Sequence, residues 1–347
     1  MLIQNRNRWL RLTMAMLASA FLLPACGLLT KTGPTPTPAA PDKLKVGIMP
    51  YTSYGPFFIA QAEGYYAEQN LDVEYVRFDS GAQMIPSLEQ GQIDVAGTGP
   101  SVALLNVIAT NQDIKIVADK GYLDPSGCTY MAILSSPDFA SRNPTPTAEA
   151  LRGLKISMDP TNFEGFMVDK LLQPTGLTVK DFQVESVSPP ALADSMQNGA
   201  LDLVSIGEPW VTRLLDTQKA VVWQKYQDIV PNMQFGIVVY GKNLLVNHTD
   251  VGKRFMTAYL KAVRQYNLGK TDRNVEILAT NTKLDPELLK RACWPPMRGD
   301  GTINLDTILG FQTWSVQNKS LDKPAATGDL WDPQFEVAAN KTLGPVK

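Results

Sequence analysis

Two patterns of hydrophobic residues alternate along the chain. Short apolar runs bounded by turn residues predict strands, and longer segments with apolar residues three or four positions apart predict helices. They predict strands and helices in alternation at 44–49, 56–68, 71–78, 82–90, 93–97, 100–110 and 114–119, and again at 154–158, 163–173, 182–187, 190–198, 201–206 and 209–218. Further helices are predicted near 249–268, 274–280 and 285–293. Such alternation predicts mostly parallel sheets with helices on both faces.

One motif occurs twice in this series. "LEQGQIDVAGTG" at 88–99 and "MQNGALDLVSIG" at 196–207 place two glycines and an aspartate at matching positions 108 residues apart. Upstream, "LKVGIMP" at 44–50 resembles "LKISMDP" at 154–160. Short strings of this kind can match by chance, but the order of elements around them matches as well. We therefore predict an α/β protein of two lobes with a similar plan.

The division into lobes follows from two long connecting segments. The segments at 120–139 and 232–243 would carry the chain from one lobe to the other and back. We predict that lobe 1 comprises 44–130 and 235–347 and that lobe 2 comprises 131–234. The expected ligand site is the cleft between the lobes, because ligands of open parallel sheets bind at the carboxyl ends of the strands.

The N-terminal region has a different composition. Three arginines precede an apolar run of about 14 residues, which is too short to span a bilayer, since a helical span needs about 20. We predict a signal peptide at 1–25 and lipid attachment at Cys26, because "LPAC" at 23–26 resembles the bacterial lipobox. Ordinary secretion is the alternative. The Pro/Thr-rich segment at 26–43 is predicted to be a tether, because its composition cannot bury a core.

Composition and charge exclude several classes of function. The net charge of −2 includes the three N-terminal arginines, so the remainder is more acidic and offers no basic surface for nucleic acid. His248 is the single histidine, which excludes a Ser/His/Asp triad and a histidine-based metal site. We predict neither a metal nor a cofactor. Cys128 and Cys293 are left open between a disulfide and two buried free thiols.

Several segments resemble a known family. "SYGPFFIAQAEGYYAEQNLDVEYV", "GAQMIPSLEQGQIDVAGTGPSVALL" and "GEPW" are similar to the type II periplasmic-binding-protein-like receptors of ABC importers. The branch they resemble includes sulfonate, taurine and nitrate receptors, thiamine-pyrimidine-synthesis-like (NMT1/THI5-like) proteins and riboflavin-binding members. The resemblance implies a two-lobed receptor that is not an enzyme and that delivers a small molecule to a membrane permease. Together with the anchor, it implies a monomer on the extracytoplasmic face of the cell membrane.

The resemblance implies that the ligand-binding residues lie at the ends of the strands. The candidates are Ser53, Tyr54, Thr98, Ser101, Asn162, Phe163, Glu208 and Trp210. Each has a structural alternative: aromatic residues can belong to the core, and a residue such as Glu208 can simply favour a helix start. The turn at 98–101 can be ordinary helix-start chemistry, or it can present backbone N–H groups to a ligand.

The candidate residues also suggest a ligand class. No Lys or Arg lies at the strand ends, whereas aromatic rings, two glutamates and several amide or hydroxyl groups do. We therefore predict a neutral aromatic nitrogen heterocycle, such as riboflavin or a thiamine-type pyrimidine. A sulfonate, taurine or nitrate is the alternative, because helix-start N–H groups can bind anions without a cation. A thiamine-pyrimidine-synthesis-like enzyme is the alternative of another class.

Overall fold

The computed structural model describes residues 40–110 and 113–346. Residues 40–347 form one compact unit. The predicted signal peptide, the predicted lipidation site at Cys26 and most of the predicted tether lie outside the described residues. In the part of the chain that is described, no helix combines the length and apolar character that crossing a bilayer requires.

The first sheet contains the early strands and one strand that comes much later in the chain. Its strands are β1 (Asp42–Ile48), β2 (Leu71–Arg77), β3 (Val95–Thr98), β4 (Lys115–Tyr122) and β10 (Gln234–Tyr240). They lie in the order β2-β1-β3-β10-β4. β1 is parallel to β2 and β3, whereas β10 is antiparallel to both of its neighbours. We call the part of the molecule built on this sheet lobe 1.

The second sheet repeats this plan. Its strands are β5 (Met131–Ser135), β6 (Lys155–Ser157), β7 (Gln183–Glu185), β8 (Leu203–Gly207) and β9 (Val221–Lys225). They lie in the order β7-β6-β8-β5-β9, with β5 antiparallel to β8 and β9. We call the part built on this sheet lobe 2. The exact residues at which the lobes divide stay a prediction.

The helices follow the strands in sequence. Between β1 and β5 lie α1 (Gly55–Ala62), α2 (Tyr65–Glu68), α3 (Gly81–Glu89) and α4 (Val102–Thr110). Between β5 and β10 lie α5 (Pro137–Arg142), α6 (Ala148–Leu151), α7 (Phe163–Leu172), α8 (Leu192–Gln197), α9 (Trp210–Asp216) and α10 (Tyr226–Ile229). After β10 come α11 (Thr249–Tyr266), α12 (Asp272–Thr282), α13 (Pro286–Arg291), α14 (Leu305–Gln317), α15 (Thr327–Leu330) and α16 (Gln334–Leu343).

The strands β5, β9 and β10 are missing from the sequence prediction. β5 and β10 lie in the segments predicted to be connections, and each is the one strand of its sheet that runs against the others. The prediction of two mostly parallel α/β sheets is confirmed, because the remaining four strands of each sheet run in one direction.

The repeated motif has the same structural role in both lobes. The Asp94 carboxylate accepts a hydrogen bond of 2.8 Å from the Lys45 amide in the middle of β1. The Asp202 carboxylate accepts the equivalent bond, also 2.8 Å, from the Lys155 amide at the start of β6. Asp94 therefore fixes β1 beside β3, and Asp202 fixes β6 beside β8.

The core extends from one lobe into the other. Phe166 on α7 lies edge-on to Phe311 of α14, with ring centroids 6.1 Å apart. On the same helix the Asp169 carboxylate accepts a 2.8 Å hydrogen bond from Trp314 Nε1. The C-terminal part of the chain thus packs against lobe 2 as well as lobe 1.

Cys128 and Cys293 form a disulfide, which decides between the two alternatives left open by the sequence. Their Cα atoms are 5.7 Å apart, and 165 positions separate them along the chain. The bond joins the connection that follows β4 to the segment that follows α13. It therefore ties the passage between the lobes to the C-terminal part of the chain.

Candidate functional site

A cavity of about 440 Å³ lies between the two sheets. Residues after the strands of lobe 1 form one wall, and residues after the strands of lobe 2 form the other. The volume is within the range of a small-molecule site. The cavity therefore occupies the place predicted for the ligand, at the carboxyl ends of the strands.

The lobe 1 wall contains a buried lysine. Lys120, on β4, is only 3 % exposed, and its Nζ donates a 3.1 Å hydrogen bond to Ser53 Oγ. The same Nζ lies 4.1 Å from the centre of the Tyr54 ring. Burial lowers the pKa of the Lys120 ammonium to about 7, although the charge of Asp119 opposes this shift. An anionic group in the cavity would favour the charged form of this lysine.

Ser53 connects Lys120 to the opposite side of the cavity. Its Oγ accepts hydrogen bonds from Lys120 Nζ and from the hydroxyl of Tyr130, each 3.1 Å long. Because both neighbours donate to the Ser53 oxygen, its own proton is left to donate. Since Ser53, Lys120 and Tyr130 all line the cavity, they form a cluster of donors that suits an anion.

The lobe 2 wall is acidic. Asp159, Glu164 and Glu185 line it together with the hydroxyls of Ser157 and Ser205. Glu164 Oε2 accepts hydrogen bonds from the Asp159 amide at 3.3 Å and from Ser205 Oγ at 3.2 Å. Burial raises the pKa of the Glu164 carboxyl to about 7, and the hydrogen bond from Asp159 opposes the shift.

The charges on the two walls are therefore unequal. Among the described residues that line the cavity, Lys120 is the one basic side chain, and Asp79 is the one carboxylate on the lobe 1 side. The remaining carboxylates lie on the lobe 2 wall. A ligand with an anionic end and a hydrogen-donating or cationic end matches this distribution.

Main-chain hydrogen bonds join the two walls. The Val102 amide, at the start of α4, donates to the Thr161 carbonyl at 2.9 Å, and the Phe163 amide, at the start of α7, donates to the Pro100 carbonyl at 3.1 Å. Between them, Ser101 and Asn162 face each other as an antiparallel bridge. We call this pairing the α4–α7 bridge.

The α4–α7 bridge uses donors that the sequence analysis had offered to a ligand. Two further amides of these helix starts donate to capping side chains: Leu104 to Ser101 Oγ at 3.2 Å, and Glu164 to Asn162 Oδ1 at 2.7 Å. Helix starts bind anions through amides without intrahelical partners. The paired and capped amides of α4 and α7 are already occupied, so Lys120 Nζ and the Ser53 hydroxyl are the donors that the lobe 1 wall offers in their place.

Six of the predicted site residues line the cavity. They are Ser53, Tyr54, Thr98, Ser101, Asn162 and Phe163. Tyr54 also donates its hydroxyl proton to the Gly97 carbonyl. Their contact with a ligand stays a prediction.

Glu208 and Trp210 do not line the cavity, so the structure departs here from the sequence prediction. The Glu208 carboxylate is occupied by the amide and hydroxyl of Thr212, at 2.9 and 2.7 Å, and by the Cys293 amide at 3.1 Å. Trp210 is buried in the hydrophobic core of lobe 2. After β8 the chain turns toward the Cys293 segment, which takes both side chains away from the cavity.

Lys120, Ser157 and Ser205 line the cavity but are not among the site residues predicted from the sequence. The predicted fourth strand ended at 119, whereas β4 continues to Tyr122 and places Lys120 at the cavity. A charged residue inside the apolar run "IVADKGY" was the available indication. Ser157 and Ser205 lie inside predicted strands, where the alternation of side chains can direct a hydroxyl to the cleft.

Within the described ranges, no cluster of three or more His, Cys, Asp or Glu side chains could hold a metal ion.

The chain is similar to solute-binding proteins of known sequence. It is 22% identical over 331 residues to a putative aliphatic sulfonates-binding protein of Bacillus subtilis, covering 92% of this chain and 94% of that protein. It is also 22% identical over 219 residues to the taurine-binding periplasmic protein of Escherichia coli, covering 62% of this chain. The second match spans 64% of the taurine-binding protein, which is less than two thirds of its length.

Solved structures show the same fold. The alkanesulfonate-binding protein SsuA of Xanthomonas axonopodis, bound to MOPS, superposes with a TM-score of 0.66 at 18% identity, covering 84% of this chain and 99% of that one. The nitrate-binding protein NrtA of Synechocystis gives 0.71 at 15% identity, covering 88% and 89%. These likenesses confirm the periplasmic-binding-protein fold. A model of the NMT1-like family matches residues 37–280, and the chain therefore belongs to the NMT1-like family.

Proposed function

We propose that this protein is the substrate-binding component of an ABC importer, which captures a small organic molecule and delivers it to a membrane permease. The two-lobed fold with a cavity at the facing strand ends supports this function, and so do the relatives named as sulfonate-, taurine- and nitrate-binding proteins. Fold alone is not decisive, because the desulfurization enzyme DSZB also superposes, with a TM-score of 0.59 at 15% identity.

We further propose that the ligand is a small sulfonate-class anion that carries an amine. The observation that supports this ligand is the division of charge in the cavity, with Lys120 and its hydroxyl neighbours on one wall and three carboxylates on the other. The anionic group would bind Lys120 and Ser53. The amine would bind the wall of Glu164, because buried carboxylates need a charged or hydrogen-bonding partner.

A sulfonate is the alternative ligand that the sequence predicts, and the aromatic heterocycle is the ligand that it favours. The aromatic heterocycle was favoured because no cation was placed near the site and because Trp210 was counted as a wall. Lys120 supplies the cation, and Trp210 belongs to the core of lobe 2. The comparisons give no support to riboflavin or a thiamine-type pyrimidine.

Calorimetry on the purified protein tests the ligand class. We expect taurine to bind at micromolar affinity or tighter and ethanesulfonate, which lacks the amine, to bind about 10 to 100 times more weakly, because it leaves the lobe 2 carboxylates without a partner. Lys120→Met should weaken taurine binding at least about tenfold. Lys115→Met, on the same strand but paired with Asp329 outside the cavity, is the matched control.

Two results would contradict the proposal. Binding of riboflavin or the thiamine pyrimidine with no binding of either sulfonate would restore the heterocycle. Chemical conversion of the bound ligand, detected by mass spectrometry after a sealed incubation, would favour an enzyme over a receptor.

A further inference from the structure

Each wall of the cavity contains a tyrosine hydrogen-bonded to a serine. On lobe 1, the Tyr130 hydroxyl donates to Ser53 Oγ. On lobe 2, Ser205 Oγ lies 2.7 Å from the Tyr226 hydroxyl and donates at 3.2 Å to Glu164 Oε2. The two pairs differ in one respect: Tyr130 lines the cavity, whereas Tyr226 does not.

Tyr226 reaches Ser205 from the core of lobe 2. It is the first residue of α10, directly after β9, and its side chain is fully buried. Since β5 lies between β9 and β8 in the sheet, the Tyr226 hydroxyl extends across β5 to reach Ser205 on β8. A buried hydroxyl without a partner is costly. Among the described residues, Ser205 is the partner of this hydroxyl.

The direction of the two hydrogen bonds follows from the protons that the groups carry. A serine hydroxyl has one proton, and an ionised carboxylate has none. Ser205 therefore donates its proton to Glu164 Oε2, and Tyr226 donates its own proton to Ser205. The bond from Tyr226 makes Ser205 a stronger donor, because hydrogen bonds in a chain polarise one another.

This chain of hydrogen bonds distinguishes the two carboxylate oxygens of Glu164. Oε2 accepts bonds from Ser205 Oγ at 3.2 Å and from the Asp159 amide at 3.3 Å. Oε1 accepts none from the residues that the structure describes, and Glu164 lines the cavity. Oε1 is therefore the oxygen that is available to a cationic or hydrogen-donating group of a ligand.

We propose that Tyr226 is a positioning residue for ligand recognition: through Ser205 it orients the Glu164 carboxylate so that Oε1 receives the amine of the ligand. The inference rests on the proposed function, because the amine belongs to the proposed ligand class. Since Tyr226 does not line the cavity, its effect must pass through Ser205. Without the tyrosine hydroxyl, Ser205 is a weaker donor and the ionised form of Glu164 is less favoured.

The charge of Glu164 also depends on its other neighbours. Burial raises the pKa of Glu164 to about 7, the hydrogen bonds from the Asp159 amide and from Ser205 oppose the rise, and the Asp159 charge adds to it. Tyr51 and Tyr226 also interact with this carboxylate, and burial raises the pKa of both phenols, so they stay neutral where Glu164 titrates. The other charged side chains that line the cavity are Asp79, Lys120 and Glu185.

Titration of the Glu164 carboxyl by carbon-13 NMR, assigned with Glu164→Gln, tests the proposal without a ligand. Tyr226→Phe removes the hydroxyl and keeps the ring. Tyr240→Phe is the matched control, because Tyr240 is also fully buried and donates a 2.9 Å bond to the Gly252 carbonyl without lining the cavity. We expect the Glu164 midpoint to rise by about half a pH unit or more in Tyr226→Phe and to stay unchanged in the control.

Ser205→Ala tests the same chain of hydrogen bonds at its middle. It removes the direct donor, so it should raise the Glu164 midpoint at least as far as Tyr226→Phe does. The double variant should show the shift of Ser205→Ala alone, because Tyr226 acts through Ser205. An unchanged midpoint in either single variant, or a double variant that shows the sum of the two shifts, would overturn the proposal.

Calorimetry with two ligands tests the role in recognition. At pH 7, we expect Tyr226→Phe to bind taurine about three to ten times more weakly than the wild type, and to bind ethanesulfonate, which has no amine, within about twofold. The difference for taurine should shrink at pH 8.5, where Glu164 is largely ionised in both proteins. Equal losses for both ligands at both pH values would indicate a merely structural role and overturn the proposal.

The two proposals can fail separately. A wild type that binds neither sulfonate contradicts the proposed ligand class, and the NMR midpoints then decide on their own whether Tyr226 acts on Glu164. A wild type that binds taurine, combined with an unchanged midpoint in Tyr226→Phe, supports the ligand class and refutes the role of Tyr226.

Discussion

Lys120 and Glu164 face the same cavity from opposite lobes, and burial acts on them in opposite senses. It lowers the pKa of the ammonium and raises the pKa of the carboxyl, each to about 7. Both groups therefore lose part of their charge near neutral pH when the cavity is empty. A ligand with complementary charges would restore the ionised form of each, so binding should be coupled to proton uptake by Lys120 and proton release from Glu164.

Glu164→Gln should change how stability depends on pH. The pKa of Glu164 rises from its ordinary value of 4.5 to about 7, so the folded protein holds this proton more tightly than the unfolded chain. The contribution of the protonated Glu164 carboxyl to the free energy of unfolding is fully present below about pH 4.5. It is lost as pH rises toward 7. Glutamine keeps a hydrogen-bonding side chain without the charge, so we expect the variant to be more stable than the wild type at pH 8, by on the order of 1–3 kcal/mol, and similar at pH 4.

Thermal denaturation between pH 4 and 8 measures this effect, with Glu149→Gln on the exposed surface of α6 as the control. Parallel pH profiles for the wild type and Glu164→Gln would show that the carboxyl does not titrate as a buried group.

Residues that line the cavity can be predicted from the sequence where a turn residue shows where a strand ends. Ser53, Thr98 and Asn162 follow such marks and reach the cavity. Lys120 was not placed in this way, because its charge inside an apolar run was the one local indication and no turn residue before it marks the end of β4. The position of the Trp210 side chain could not be predicted either, because it depends on how the chain beyond β8 packs against the Cys293 segment.

At the scale of elements, each sheet is completed by a strand taken from a connection between the lobes. The alternation of apolar and polar residues predicts the other strands except β9, and most of the helices, with shifts of a few residues, because those elements follow one another locally. It predicts neither β9 nor the helices α5, α6, α10, α14, α15 and α16. β5 and β10 were missed, since their pairing joins segments that are distant in sequence: β10 inserts between β3 and β4. The repeated aspartates are the local feature that the two sheets share.

Asp94→Ala and Asp202→Ala should each destabilise the protein, because each carboxylate fixes a strand of its sheet. Each removes an acceptor from a strand amide, at Lys45 and Lys155 respectively, for a cost of about 0.5–1.5 kcal/mol. Asp94→Ala should cost more, because the Asp94 carboxylate also accepts a 2.7 Å bond from Asn243.

Urea denaturation measures these costs, with the exposed Asp322→Ala as control. We expect the double variant to show the sum of the single effects, because the two aspartates lie in different sheets. A loss no greater than that of Asp322→Ala would show that the repeated aspartates have no structural role.

At the scale of the whole molecule, the proposed receptor would work best near its permease. An anchor at Cys26 and a tether up to residue 41, before β1 begins, would keep the two lobes at the membrane surface. The tether sequence has the Pro/Thr-rich composition of a semi-rigid spacer. We propose that the folded part is held on the extracytoplasmic face in this way.

Cys26→Ala tests the anchor. We expect the variant to move from the membrane fraction to the soluble fraction after cell breakage, because one lipid-modified residue would be the attachment. Thr30→Ala, which changes the tether and keeps the cysteine, should remain with the membrane. If Cys26→Ala stays in the membrane fraction after a high-salt wash, the protein is held by some other means.

The position of β10 affects the order in which the two lobes can fold while the chain is being made. A chain that emerges from its N-terminus presents β3 and β4 early, but the strand that belongs between them starts only at Gln234. The sheet of lobe 2, from Met131 to Lys225, is by contrast continuous in sequence. During synthesis or export, lobe 2 can therefore fold first. The sheet of lobe 1 lacks the strand between β3 and β4 until β10 is available. The lobe that begins the chain is the last to be finished, and any arrest of the growing chain before residue 234 would leave two unpaired strand edges open to misassembly.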